Sequence, residues 1–452
     1  MVRDPHVVTP RSPRGIALAR AAAPWSIAVL GVLLAWYSQI SLRVGGLGRV
    51  PLALVVVAIG AIALANVAHS RWWRIRPVQA WLAWWLAMAV AAALTWRSLP
   101  VGEDRVLAEV RAVVTAREEM ALLAAGAVAG TVLIGTARGS RRGVAGFRWL
   151  WLGVLLSTAP VALWEIATDQ HIVVTRWLDW YFTPHTPAAT FANPNNYGCV
   201  LVAVVGTLLA WSLDAVSRWL AALLLALAAC AAWLTWATLS RGAFAAIAVQ
   251  VLIAVIGLAA RRGWLARMRA TPQNRRRSAA GGVVLVLLAA ATFVVPALAA
   301  RNPLLRAPKA GEGASDDARI ELVRAAVRYW QSSPLVGTGP GTYEYHLTME
   351  RPAGVPDPTT NAHNAFAEIL SQYGLLGSVP LVVLLGLLLW YVVRPAPDIA
   401  RRVELACVLV AFVVTGLVVS SALALPLWFV MLAHAVAVGW SLQRDTDNPD
   451  PA

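Results

Sequence analysis

Apolar runs of about 20 residues recur along most of this chain, and a run of that length crosses the hydrocarbon core of a bilayer as an α-helix. About twelve occur, near residues 24–42, 50–68, 77–96, 119–137, 149–168, 194–213, 218–237, 242–260, 279–299, 375–393, 403–421 and 424–442. Lipid offers a backbone amide no hydrogen-bond partner, so such runs must satisfy their peptide groups internally, as helices do. The chain therefore reads as an all-α polytopic membrane protein with about twelve transmembrane helices. A content of 59% hydrophobic and 13% charged residues, with a mean hydropathy of +0.64, lies outside the range of soluble domains and agrees.

The net charge of +15 and pI near 10.9 do not signal nucleic acid, because the arginines sit in short runs between apolar stretches. That is the positive-inside pattern. Arg3, Arg11, Arg14 and Arg20 precede the first run, which is long enough to span and carries no persuasive small-residue cleavage site, so it is read as a retained helix with a cytoplasmic N-terminus. The cytoplasmic loops then hold Arg71/Arg74/Arg76, Arg138/Arg141/Arg142/Arg148, Arg218, the cluster from Arg261 to Arg277, and Arg394/Arg401/Arg402. Every strongly basic short loop falls on one side.

The expected organisation is a cytoplasmic segment 1–23, nine helices over 24–299, a long periplasmic loop 300–374, three helices over 375–442 and a cytoplasmic tail 443–452. Val101 to Glu119 alternates charges with valines and leucine, as an interfacial amphipathic helix does. Trp72, Trp73, Trp81, Trp84, Trp85, Trp149 and Trp151 lie near helix ends and read as interfacial anchors. Cys199, Cys230 and Cys407 are far apart within apolar runs, which argues against a disulfide framework or a metal site. Asp445-Thr446-Asp447 matches a metal-binding D-x-D but falls in the expected tail beside Pro449 and Pro451, where solvated disorder is the better reading. Neither internal repeats nor paired Gly/Pro-broken helices, common in transporters, stand out.

The polar loop ends in Thr359-Thr360-Asn361-Ala362-His363-Asn364-Ala365-Phe366-Ala367-Glu368. His363 there is either a helix cap or a general base, since imidazole takes a proton near neutral pH, and Glu368 either orients it or serves as an alternative base. Arg241, in Leu239-Ser240-Arg241-Gly242, interrupts two apolar runs and is either a snorkelling cap or a functional charge. In Asp316-Asp317-Ala318-Arg319-Ile320-Glu321 through Trp330, Ser315 or Asp316 is the expected cap and Ile320, Val323, Val327 and Trp330 form the expected buried stripe. Helical spacing sets Arg319 inside that stripe and sets Arg324, Arg328 and Glu321 on the solvated side as a surface group; the alternative for Arg319 is a structural salt bridge. Pro334-Leu335-Val336-Gly337-Thr338-Gly339-Pro340-Gly341 lacks the Lys-Ser/Thr ending of a nucleotide loop and reads as a tight turn.

In their order, these pieces resemble the O-antigen ligase and polymerase superfamily of bacterial membrane glycosyltransferases. The resemblance runs from Thr190-Phe191-Ala192-Asn193-Pro194-Asn195-Asn196 through Leu239-Ser240-Arg241-Gly242, Ala318-Arg319 and Ser333 to Gly341, to Asn361-Ala362-His363-Asn364. A histidine followed by ten residues and a glycine, met by His363 and Gly374, is similar to the ligase signature. The resemblance implies a GT-C-like architecture in the bacterial inner membrane with a periplasm-facing site. It implies transfer of a glycan from undecaprenyl diphosphate to a lipid A-core sugar in ligases, or to the next lipid-linked repeat in polymerases. Arg241 and Arg319 would hold the diphosphate, His363 would activate the acceptor hydroxyl with Glu368 in reserve, and Asn361 and Asn364 would contact substrate. It implies no metal or nucleotide cofactor, and partners limited to the lipid-linked donor, the glycan acceptor and membrane lipids, with no nucleic acid. Ligase is preferred to polymerase; a flippase for lipid-linked sugars is the competing class, disfavoured because the arginines are expected on one face only.

Overall fold

The computed structural model describes residues 25, 28–36, 74–96, 106–137, 140–172, 184–191, 193–262, 312–350, 352–353, 355, 359–394, 398–420 and 422–447. Within them run α1 (Arg76–Thr95), α2 (Val106–Ala137), α3 (Arg141–Thr168), α4 (Pro194–Leu213), α5 (Arg218–Ala237), α6 (Arg241–Arg261), α7 (Glu312–Ser332), α8 (Thr342–Glu350), α9 (Ala365–Val393), α10 (Ile399–Val418) and α11 (Pro426–Asp447). Among the described residues, eight helices are long and apolar enough to cross a membrane, namely α1 to α6, α9 and α11. This is a multi-pass helical membrane protein. The expected runs at 50–68 and 279–299, and about half of that at 24–42, lie outside the described residues, as do Trp72, Trp73 and most of the Arg261 to Arg277 cluster.

Local chemistry sets many helix starts. The side chains of Ser140, Asn193, Ser217, Asn364 and Asp398 each accept a backbone amide hydrogen bond at the head of α3, α4, α5, α9 and α10, and Pro194 occupies the first turn of α4, where its missing N–H costs nothing. Several expectations shift. The interfacial segment and the span after it form one 32-residue helix, α2. The third helix begins at Arg141, so Arg148 lies inside it and not in a loop. Helix α11 continues through Asp447, so the D-x-D is helical where disorder was expected.

Helices α4 and α11 are mostly buried at the centre of the bundle. Helices α5, α6 and α9 turn apolar side chains such as Leu223, Leu252 and Val382 outward, as lipid-facing helices do. Trp81, Trp84 and Trp151 are fully buried, which corrects their reading as interfacial anchors. Each indole brings a large apolar surface and one N–H; Trp81 donates to Thr131 Oγ1 at 3.0 Å and Trp151 to His434 Nδ1 at 3.2 Å.

The basic helix ends gather at one end of the bundle. Arg141 pairs with Asp398 at 3.5 Å, and Arg402 Nε donates to the carbonyl of Val392 at 2.8 Å. Deeper in, Arg148 donates through Nη2 and Nε to Glu404 (2.8 and 3.2 Å) and through Nη1 to Asp214 (3.1 Å). Because the Trp151 indole donates to Nδ1 of His434, the imidazole proton sits on Nε2 and is donated to Glu404 Oε1 at 3.1 Å. The ring stacks on Phe147. One carboxylate thus joins α3, α10 and α11.

At the other end α9 is broken. Gly374 has φ 59 and ψ −155, so the amides of Leu375 and Leu376 cannot reach the carbonyls of Ser371 and Gln372. They donate instead to the carbonyls of Pro334 and Leu335 (both 2.9 Å), while Thr338 and Gly339 donate to the freed carbonyls of Ser371 and Gln372 (2.9 and 3.0 Å). The glycine-rich turn is therefore a splice that replaces two helical hydrogen bonds. Gly337 also has positive φ, and a Cβ on Gly374 would stand 2.6 Å from the Gly337 nitrogen. Such a break was not anticipated from the sequence.

Two outcomes follow for purified protein in detergent. Gly374→Ala or Gly337→Ala adds backbone strain and overpacking, a loss of ~2–5 kcal/mol read as a lower melting temperature. Glu404→Ala strands the buried Arg148 guanidinium and costs about 3–5 kcal/mol in the same assay.

Candidate functional site

The turn that carries His363 is held by its neighbours. Asn361 Oδ1 accepts the His363 amide at 3.1 Å, Asn364 Oδ1 accepts the amides of Phe366 and Ala367 (both 3.1 Å), and Glu368 Oε1 accepts the Ala362 amide at 2.8 Å. These bonds sustain φ 49 at His363, a left-handed conformation that a non-glycine residue adopts only where surroundings fix it. The side-chain oxygens of Asn361 and Asn364, expected to meet substrate, are thus used in shaping the turn. Glu368 is buried and its Oε1 is engaged by the backbone one residue before His363.

Burial, and second the charge of Arg319, lower the His363 pKa from its ordinary 6.5 to about 4. The imidazole is therefore neutral, with a lone pair available, across the physiological range.

Arg319 sits on α7, which begins at Glu312, ahead of the expected cap. The buried face of α7 is Ala318, Leu322, Ala325, Ala326 and Tyr329, packed with Tyr343 and Leu347 of α8 and with Ala362 and Ala367. The expected stripe is displaced by one position, and Ile320 is 53% exposed. Tyr343 Oη donates to the Leu322 carbonyl at 2.8 Å, clamping α8 to α7. This small core ties Arg319 to the His363 turn. Arg319 is half-buried at its edge, and its charge acts on both His363 and Cys199 of α4. Among the described residues no ion pair is formed by Arg319, whereas Arg324 and Arg328 pair with Glu321 at 3.5 and 3.0 Å, as expected, and Arg328 also pairs with Glu350 at 2.6 Å.

Arg241 opens α6 after a tight turn in which Leu239 has φ 57. Close approaches locate it. A Cβ on Gly242 would stand 2.5 Å from Val418, and one on Gly416 would stand 2.8 Å from Phe366, so neighbouring residues near the C-terminus of α10 touch both the Arg241 turn and the start of α9. Gly198 in the first turn of α4 faces Thr238 and Ser240 in the same way. Arg241, Arg319 and His363 thus lie at one end of the bundle, opposite the basic end.

Two further carboxylates, half-buried Glu119 and buried Glu165, hold structural positions that the sequence does not mark. Glu119 of α2 accepts from Tyr373 Oη at 2.7 Å, and the Gly341 amide donates to Oε1 of the adjacent Gln372, so the splice is anchored to α2 through α9. Glu165 of α3 accepts the amides of Ala188 and Ala189 (2.8 and 2.7 Å), strapping down the segment ahead of α4. For Glu165 the signal is an acid within an apolar run with no neighbouring cation, whereas Glu119 follows Arg117 and Glu118 at the head of its run; the partners, backbone amides and a phenol, lie far along the chain, which spacing does not reveal.

Residues 222–382 match the family model described as O-Antigen ligase. The match contains Arg241, Arg319, His363, Glu368 and Gly374, while Asn193 to Asn196 precede it. No curated protein matches the chain.

Titration of labelled His363 by NMR should give a pKa near 4. Arg319→Gln should move that value upward but leave it short of 6.5, because burial is the larger cause. An unchanged value in the variant would show that the guanidinium does not reach the imidazole.

Proposed function

We propose that this chain, which carries an O-antigen ligase superfamily segment over residues 222–382, transfers a glycan from undecaprenyl diphosphate to a hydroxyl of a lipid A-core acceptor on the periplasmic face of the inner membrane. The observation that carries the reading is a neutral, half-buried histidine on a constrained turn within the field of a guanidinium that has no carboxylate partner among the described residues. The clustering of basic residues at the opposite end supports this orientation, since short basic loops are as a rule retained in the cytoplasm.

In this mechanism the neutral imidazole of His363 accepts the proton of the acceptor hydroxyl as its oxygen attacks the anomeric carbon. The bond from that carbon to the diphosphate oxygen breaks, and its electron pair leaves with the diphosphate. Arg241 and Arg319 offset the charge that develops there. Displacement from the face opposite the leaving group inverts the anomeric centre. Glu368, Asn361 and Asn364 hold the histidine in place. With a pKa near 4, the base is lost only in strong acid, so activity should be flat from pH 6 upward as far as this group is concerned.

His363→Ala should reduce transfer by about 10²- to 10⁴-fold, the usual worth of a general base, with the protein still folded in membranes. Near-normal transfer by that variant sinks the assigned role. Purified protein with lipid-linked donor and core acceptor should form a covalent product; a flippase would form none. In a deletion strain, loss of every ladder band with accumulation of lipid-linked polymer identifies a ligase, and core bearing a single repeat identifies a polymerase.

A further inference from the structure

Serine at the head of a helix normally turns its hydroxyl over the amides of the second and third residues, which have no acceptor within the helix. Ser240 occupies that position in α6 and does not do so. Its Oγ is buried with no hydrogen-bond partner, and the residue is 1% exposed. The amides of Gly242 and Ala243 are consequently left without their cap. A buried hydroxyl with no partner is destabilising unless something else supplies one. The side chain lies against the first turn of α4, with its Cβ 3.2 Å from where a Cβ of Gly198 would stand, at the end of the bundle that carries Arg241 and His363.

We infer that the head of α6 is a phosphoryl-binding site, in which the Ser240 hydroxyl and the amides of Gly242 and Ala243 bind one phosphoryl group of the donor's diphosphate. The inference rests on the lipid-linked donor proposed above. The positive end of the helix dipole favours an anion at this point, and convergent amides suit phosphoryl oxygens in geometry as well as charge. Arg241, the first residue of the same helix, then contributes full charge beside these neutral donors. The division of labour differs from that of two arginines alone: amides and hydroxyl fix position, and the guanidiniums respond to charge as the bond breaks.

The test uses the full-length protein in detergent with undecaprenyl diphosphate as probe and undecaprenol as control, followed by calorimetry. Wild type should prefer the diphosphate. Ser240→Ala should weaken its binding about tenfold or more, the worth of a hydrogen bond to a charged group, and Ser240→Thr should retain most of it. Without ligand, Ser240→Ala should melt no lower than wild type, because it removes a hydroxyl that has no partner; a structural cap would instead lower the melting temperature. If Ser240→Ala binds as wild type does while Arg241→Ala binds weakly, the inference is overturned and the donor reading stands. If wild type does not distinguish the diphosphate from undecaprenol, both fall.

Discussion

Backbone hydrogen bonding around Gly374 is the constraint on which the His363 end of this bundle depends. A helix in lipid has to satisfy every amide within itself, and α9 fails to do so at two positions. The segment from Pro334 to Gly339 makes good the deficit with four backbone bonds. Short links run from this splice to its surroundings: the Gly341 amide to Gln372, Tyr373 to Glu119 of α2, and Tyr343 to the helix bearing Arg319. The histidine turn stands on the first, shorter half of α9, so its position is set by the splice.

The two ends of the bundle treat charge in opposite ways. At the basic end, Arg148 is enclosed and matched by Glu404 and Asp214, and even His434 has its tautomer fixed by two neighbours. Such pairing secures helices and leaves no capacity for a ligand. At the other end, Arg324 and Arg328 are neutralised along their own helix and beside it, while Arg319 is left with an imidazole in its field. A charge with no counter-ion among the described residues, in a partly desolvated place, is available to a substrate that brings one.

The apolar runs at 194–213 and 218–237 coincide with α4 and α5, because length and hydropathy alone decide such segments. The run at 375–393 coincides with the part of α9 beyond Gly374, so the sequence marked the break by where the apolar stretch starts, though not as a break. His363, Arg241 and Arg319 were legible as unusual residues in their settings. The buried face of α7 was misplaced by one residue because α7 packs against α8 and the His363 turn, whose apolar residues its own periodicity does not encode. Arg148 was assigned to a loop because its partner Glu404 lies 256 residues away, and Trp81 and Trp151 were assigned to the interface for the same reason.

The splice also bears on how the protein is made. Pro334 to Gly339 are synthesised before α9 and must already stand on the side that carries His363 when α9 enters the bilayer. Until they meet, the amides of Leu375 and Leu376 and the carbonyls of Ser371 and Gln372 face lipid or its border unpaired, at several kcal/mol apiece. Placement of the polar segment and seating of α9 are therefore one event. A defect at either glycine therefore acts in biogenesis as well: it lowers the amount of protein the cell retains, in addition to the stability of what is made.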